Sequence, residues 1–236
     1  MEIQLQQIRH AEELSHTEMY NSFALFTPGS WLAKPVRTVL ELLPLFDGYS
    51  SFRALDLGCG VGHNSIPIAQ YFQKIPCRLD CVDILPLAIE KLMENARHHN
   101  IFDSIYGYTA AIEDYDIPAN TYDLILAISA LEHINDASSF LQKLHDIRNG
   151  LQPGGIACLI VNTSISEHDK TSGLSLAPQF EVLLFSEKFL QLIGQIFEGW
   201  TILKHTITHQ NYDIPRESGI ACLDTDVVTF VVRRPI

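Results

Sequence analysis

The residues of this chain best placed to do chemistry are a carboxylate and, two positions later, a run of alternating glycines: Asp56 ahead of Gly58-Cys59-Gly60-Val61-Gly62. Glycines there let the backbone turn sharply and let a ligand approach where a Cβ would collide. The turn follows Phe52 to Leu57, which reads as a short buried strand. It precedes His63 to Phe72, which reads as a helix with either Ile66, Ala69 and Phe72 or Ile68 and Phe72 facing inward. A helix N-terminus in that position aims unpaired amide N–H groups into the crevice. A dinucleotide fingerprint needs its last glycine where Asn64 stands, and its pyrophosphate would meet the charge of Asp56. A carboxylate suits instead a ligand that carries an ammonium group into the turn. Cys59 has no evident base among its neighbours and reads as a packing residue.

The other half of such a crevice lies at the ends of the following strands. Cys77 to Val82 alternates and ends at Asp83, about twenty residues past the turn, where an acid can hold a ribose diol with both oxygens. Ile84 is placed to pack on one face of an adenine, and a helix follows over about Pro86 to His99. The third strand region, Ile105 to Thr109, leads into Ala111-Ile112-Glu113-Asp114. There Ile112 would take the other face of the adenine, and Glu113 or Asp114 would accept from its amino group. The fourth, Tyr122 to Ile128, ends at Ser129, followed by Glu132-His133. His133 has two readings. Its ordinary pKa of about 6.5 suits a general base, and equally Glu132-His133 could order the loop or cap the helix beginning near Asp136.

The elements that must position these residues fit one large α/β domain over 35–236, preceded by a helical segment over 1–34. Residues 2–24 look helical and lead to the aromatic run Phe23 to Trp31. This segment either folds over the crevice as a lid, excluding water, or covers a sheet edge or helix pair. Pro28 and Gly29 mark a break before a helix expected over Trp31 to Leu43. The polar stretch Asn162 to Pro178 reads as a loop, favoured as a substrate lid over a disordered connector. Lysines and arginines total 16 against 28 acids, a net charge of −12. That balance argues against nucleic acid and against anionic membranes. No apolar run approaches the roughly 20 residues that span a bilayer, and the N-terminus lacks signal-peptide character, so a cytoplasmic protein is expected. The five cysteines read as reduced thiols. No metal is expected, since Cys77 and Cys81 lack a second cluster to complete four ligands.

Ala54 to Gly62, Asp83, the Tyr122-Asp123-Leu124-Ile125 strand and Leu151-Gln152-Pro153-Gly154-Gly155 resemble, in order and spacing, the motifs of class I S-adenosylmethionine-dependent methyltransferases. The resemblance implies a Rossmann-like, doubly wound, seven-stranded sheet, mostly parallel with the last strand antiparallel. Ile156 to Asn162, Trp200 to Thr208 and Asp226 to Arg233 would supply its last three strands. It also implies S-adenosylmethionine as cofactor and S-adenosylhomocysteine as product. Asp56, Gly58, Cys59, Gly60, Gly62, Asn64, Asp83, Ile84, Ile112, Glu113 and Ser129 would form the cofactor site, with Ser129 beside the sulfonium. The expected function is methyl transfer to a small-molecule acceptor.

A narrower likeness, in Gly62-His63-Asn64-Ser65 and Phe180 to Glu187, is to the tellurite-resistance methyltransferases. That family's arginines after the sixth strand have one counterpart here, Arg216, the candidate ligand for an anionic substrate such as tellurite or selenite. The rival classes are a noncatalytic module that binds S-adenosylmethionine and a nicotinamide-dependent oxidoreductase.

Overall fold

The computed structural model describes residues 2–216 and 219–236. Its helices are α1 (Glu2–Ser22), α2 (Arg37–Leu42), α3 (Ser65–Tyr71), α4 (Pro86–His98), α5 (Ala137–Gly150) and α6 (Ser186–Ile196). Its strands are β1 (Phe52–Leu57), β2 (Cys77–Asp83), β3 (Ile105–Thr109), β4 (Tyr122–Ile128), β5 (Leu151–Asp169), β6 (Ser175–Leu176), β7 (Thr201–Arg216) and β8 (Gly219–Arg233). The sheet order is β3-β2-β1-β4-β5-β8-β7, with β6 a short addition to β5. The first five strands run parallel, and β8 lies antiparallel between β5 and β7. Strand order reverses between β1 and β4, so the crevice for a ligand opens at their carboxyl ends.

Alternation along the central strands divides the core into two layers. Ala54, Leu124, Leu126, Ile156 and Cys158 pack with Val39, Ile66, Ile68 and Leu92 on one side. Leu55, Leu57, Ile125, Ala127 and Leu159 pack with Phe140, Leu144, Phe189 and Ile193 on the other. Both faces are covered, as a parallel sheet requires. Asp136 caps α5, its Oδ1 accepting from the N–H groups of Ser138 and Ser139 at 2.8 and 2.9 Å.

Three expectations are corrected. The helix expected over Trp31 to Leu43 is confined to α2, because the ring of Pro35 disfavours helix before it and Val36 is extended. The stretch 162–178 is mostly strand. β5 runs on to Asp169 and pairs with β8 through Ser166↔Asp224 and His168↔Cys222, and β8 pairs with a β7 that continues to Arg216. Expected strands six and seven are therefore parts of a three-stranded antiparallel arm projecting beyond the parallel sheet. Seven strands form the main sheet order, as expected, and the short β6 is an eighth at the side of β5. Among the described residues no helix is long and apolar enough to cross a membrane.

Candidate cofactor and acceptor cleft

The glycine turn is tied to the end of β2. Gly58 and Cys59 donate to the Val82 carbonyl at 2.8 and 3.0 Å, and Gly60 donates to Asp83 Oδ2 at 2.9 Å. Asp83 Oδ1 accepts from Leu85 N at 2.9 Å, so one carboxylate sets both the turn and the entry to α4. Gly58 has φ +73°, and a Cβ there would lie 2.4 Å from the Ala130 methyl; at Gly60, with φ +52°, it would lie 2.9 Å from Tyr20 Oη. Side chains are thus excluded from the turn on the β4 side and on the α1 side.

A cavity of about 490 Å³ starts at this turn, within the range of small-ligand sites. Gly58, Cys59, Gly60, Asp83, Ile84, Ile112, Glu113 and Ser129 all lie on its wall, as do His133 and Arg216. Ser129 sits at the end of β4 with φ +48°, its N–H on the Ile160 carbonyl at 2.7 Å.

Three expected cofactor residues lie behind the wall. Asp56 is buried beneath the turn and accepts from Ser65 Oγ at 2.5 Å. Burial pushes its carboxyl up to about 6 against the help of that hydrogen bond, and the nearby Asp83 charge pushes it further. Asp56 therefore meets a ligand only as a charge felt through the turn. Asn64 is buried, and its Oδ1 accepts from Val36 N at 2.9 Å, fastening the lead-in to α2. Gly62 is also off the cavity wall, where a Cβ would strike Leu92 at 2.5 Å. Both support the turn from behind.

Helix α1 roofs the cleft. Tyr20 packs with Leu32, Val61 and Ala88, and His16, Tyr20, Trp31 and His63 form a chain of ring contacts 5.5 to 6.5 Å apart. Burial pulls His63 down to about 4, so it stands neutral under this roof. Arg9 Nη2 donates to Glu113 Oε1 at 2.6 Å, and its Nε lies 3.6 Å from Glu181 Oε1. Glu113, expected to meet an adenine amino group, thus has Arg9 as its first partner.

At the far end, His133 Nδ1 lies 3.1 Å from Glu181 Oε2, and its ring stacks on Phe180 at 5.1 Å. The neighbouring Glu132 points elsewhere. Its Oε1 takes both the backbone and side-chain N–H of Asn162, which orders the loop, and burial pushes its carboxyl up. Arg216 is gripped in a bidentate pair by the buried Glu167, at 2.6 and 3.0 Å. Its fork is occupied, which leaves little for an anionic substrate. Cys59 is buried, and burial with the neighbouring Cys81 holds its thiol well above the usual range, as befits a packing residue. All five cysteines are free.

Sequence reasoning missed Arg9, Glu181 and Glu167. Arg9 and Glu113 are 104 residues apart, and Glu181 and His133 are 48 apart; no local spacing announces such pairs.

The motifs and this strand order resemble those of the class I S-adenosylmethionine-dependent methyltransferases, which implies S-adenosylmethionine as methyl donor and S-adenosylhomocysteine as product. Residues 54–155 match the family model described as a methyltransferase domain. The chain is 24% identical over 195 residues to ajmaline N-methyltransferase of Rauvolfia serpentina, covering 80% of this chain and 62% of the relative. It is 25% identical over 179 residues to a ubiquinone biosynthesis O-methyltransferase of Ruegeria pomeroyi, covering 75% and 62%. A tRNA N(3)-cytidine methyltransferase of Bos taurus matches 48% of the chain at 28% identity, over 31% of its own length. The chain thus spans at most about three fifths of these relatives. Among solved structures, TehB from Haemophilus influenzae superposes with a TM-score of 0.62 at 17% identity, over 84% of this chain and 61% of that one, a likeness of fold.

Proposed function

We propose that this protein transfers the methyl group of S-adenosylmethionine to an oxygen or nitrogen of a small, non-anionic organic acceptor. The observation that carries the reading is the roofed cleft. It runs from the glycine turn and Asp83 to the His133–Glu181 pair and is closed from above by α1 and Arg9. The space fits the donor. Gly58 and Gly60 leave room against the backbone, Asp83 offers acceptor oxygens for a ribose, Ile84 and Ile112 offer apolar faces, and the Asp56 and Asp83 charges favour a cationic ligand. A polynucleotide would have to displace the roof of a chain with net charge −12.

S-adenosylmethionine supplies a methyl carbon on a positively charged sulfur, which takes the electrons of the broken C–S bond and leaves as a neutral thioether. The acceptor lone pair forms the new bond to that carbon. This chain's part is to hold the acceptor in line, between Phe180 and the apolar Ile214 and Leu223, and to exclude water. His133, its Nδ1 steered by Glu181, receives the proton that the acceptor gives up. The tellurite alternative is less supported, because Arg216 is already paired with Glu167.

The test begins with calorimetric titration of S-adenosylmethionine, S-adenosylhomocysteine and NAD, with Asp83→Ala as control. It continues with transfer of labelled methyl to panels of phenols, amines and tellurite. Binding of both adenosyl ligands but not NAD, turnover with a phenol or amine, and a loss of about 10²-fold or more in kcat for His133→Ala are expected. Binding without turnover on any acceptor would favour the noncatalytic module. Turnover on tellurite alone would restore the oxyanion reading.

A further inference from the structure

The arm formed by β5, β8 and β7 has two faces, because successive side chains of a strand point to opposite sides. Leu223, Ile214 and Arg216 wall the cleft, with Glu167 paired to Arg216. The register pairs Glu167 with Leu223 and Ile214 with Ala221, so these share the cleft side. The residues that alternate with them fall on the reverse side: His168 on β5, Cys222 and Asp224 on β8, and His209 on β7. His168 pairs directly with Cys222, and His209 with Asp226 two positions beyond Asp224.

One ligand atom from each of His168, Cys222 and Asp224 lies within 4.8 Å of the others. His168 Nδ1 is 3.4 Å from Asp224 Oδ2, and His209 Nε2 is 3.7 Å from Asp224 Oδ1. The other nitrogen of His209 is held by Asp226 Oδ1 at 3.3 Å. A carboxylate on the far nitrogen is how a metal-binding histidine is commonly fixed in tautomer and orientation. The Cys222 thiol is buried and donates to Asn211 Oδ1 at 3.0 Å.

We propose that His168, Cys222, Asp224 and His209 form a site for one divalent transition-metal ion of the zinc type on the reverse side of the arm. Two imidazoles, a thiolate and a carboxylate are a borderline-soft set of four donors, the number of a tetrahedral zinc site. The sulfur disfavours Mg²⁺ and Ca²⁺, which take oxygen. With metal–ligand distances of about 2.0 to 2.3 Å, the donors of His168, Cys222 and Asp224, now within 4.8 Å of one another, must close by about 1 Å, and His209, whose Nε2 lies 3.7 Å from Asp224 Oδ1, joins them by side-chain rotation. Binding displaces the thiol proton, so the Cys222 thiolate and the Asp224 carboxylate balance the two charges of the ion. The ion would tie together the three strands whose opposite face walls the acceptor end of the cleft. The site stands independently of the methyl-transfer reading. A sequence inspection expects no metal because these ligands come from three strands and converge only in this register.

Cobalt(II) titrated into the full-length, chelator-stripped protein is the probe. The expected result is one equivalent bound per chain, with tetrahedral d–d absorption and a thiolate-to-cobalt charge-transfer band, both displaced by zinc. Cys222→Ser should abolish the charge-transfer band while Cys77→Ser leaves it. His168→Ala should weaken binding by more than about tenfold. If Cys222→Ser does not fold, His168→Ala and Asp224→Asn decide. No cobalt band in the wild type, a band that survives Cys222→Ser, or affinity unchanged in both His168→Ala and Asp224→Asn would overturn the site.

Discussion

Replacing Asp56 with Asn should stabilise the apo protein at neutral and alkaline pH. The carboxyl is buried with Ser65 Oγ as its hydrogen-bond partner, and burial holds it at about 6 against an ordinary 3.8. Forcing it to ionise in the folded state therefore costs about 3 kcal/mol, at 1.36 kcal/mol per pKa unit. The sign follows from proton binding. Between about pH 3.8 and pH 6 the unfolded chain has lost the proton and the folded chain keeps it, so stability falls as pH rises through that window. The full penalty then remains above it. An Asn at the same place still accepts from Ser65 and carries no charge.

Urea denaturation of both proteins at about pH 4 and pH 8 should show the variant more stable at pH 8 by up to about 3 kcal/mol, a Tm rise of about 6 to 12 °C for a chain of this size. At pH 4 the gap should shrink toward zero. Asp56→Asn should also bind S-adenosylmethionine more weakly, since the charge that costs stability is what favours a cationic ligand. A variant that is less stable at pH 8, or a gap independent of pH, would refute the reasoning.

Gly58→Ala should lose about 2 to 4 kcal/mol and cofactor binding, because the new methyl meets Ala130 at 2.4 Å and φ is +73°; Ala130→Gly in the same chain should recover part of the loss, read by thermal unfolding and calorimetry. Arg9→Ala removes the link from α1 to Glu113 and Glu181, and stopped-flow should show S-adenosylhomocysteine leaving about tenfold faster with unchanged circular dichroism. An unaltered off-rate would remove α1 as a roof. Glu167→Ala should cost about 3 to 5 kcal/mol by stranding Arg216, while the double variant with Arg216→Ala costs less than the sum of the singles. Additive losses would show the two side chains to be uncoupled.

What was legible in the sequence was short-range. The apolar run of β1, the glycines after it and the acid ending β2 lie within about thirty residues, and each follows from a local rule. Strands buried on both faces announce themselves by hydropathy, as β1 and β4 do, and β2 and the edge strand β3 also fall where expected. The arm does not. Ser164 to Asp169 is mostly polar, and Ser166 to Asp169 is held in strand by pairing with β8, more than fifty residues away, so composition alone gives a loop. Asp56 and Asn64 are expected from the sequence in the cofactor site, but which side of the wall they occupy depends on partners at Ser65 and Val36. For the N-terminal segment the sequence leaves two options, a lid over the crevice or a cover for a sheet edge or helix pair, and the contact of Arg9 with Glu113 is what supports proposing the first.

The charges around the cleft account for the choice of ligand better than any single contact. Glu113, Glu181 and Glu167 are held by Arg9 and Arg216, with His133 beside Glu181. Asp56 and Asp83, at the turn, accept from neutral hydrogen-bond donors, and the Asp83 charge raises the cost of ionising Asp56. A pyrophosphate placed there would add its own negative charge to two carboxylates. A ligand with an ammonium and a sulfonium would instead offset their repulsion. After transfer the sulfur is neutral but the ammonium remains, so the product would keep part of that attraction. Retaining an acid that costs the empty fold stability is the trade expected where a site is organised for its ligand ahead of binding.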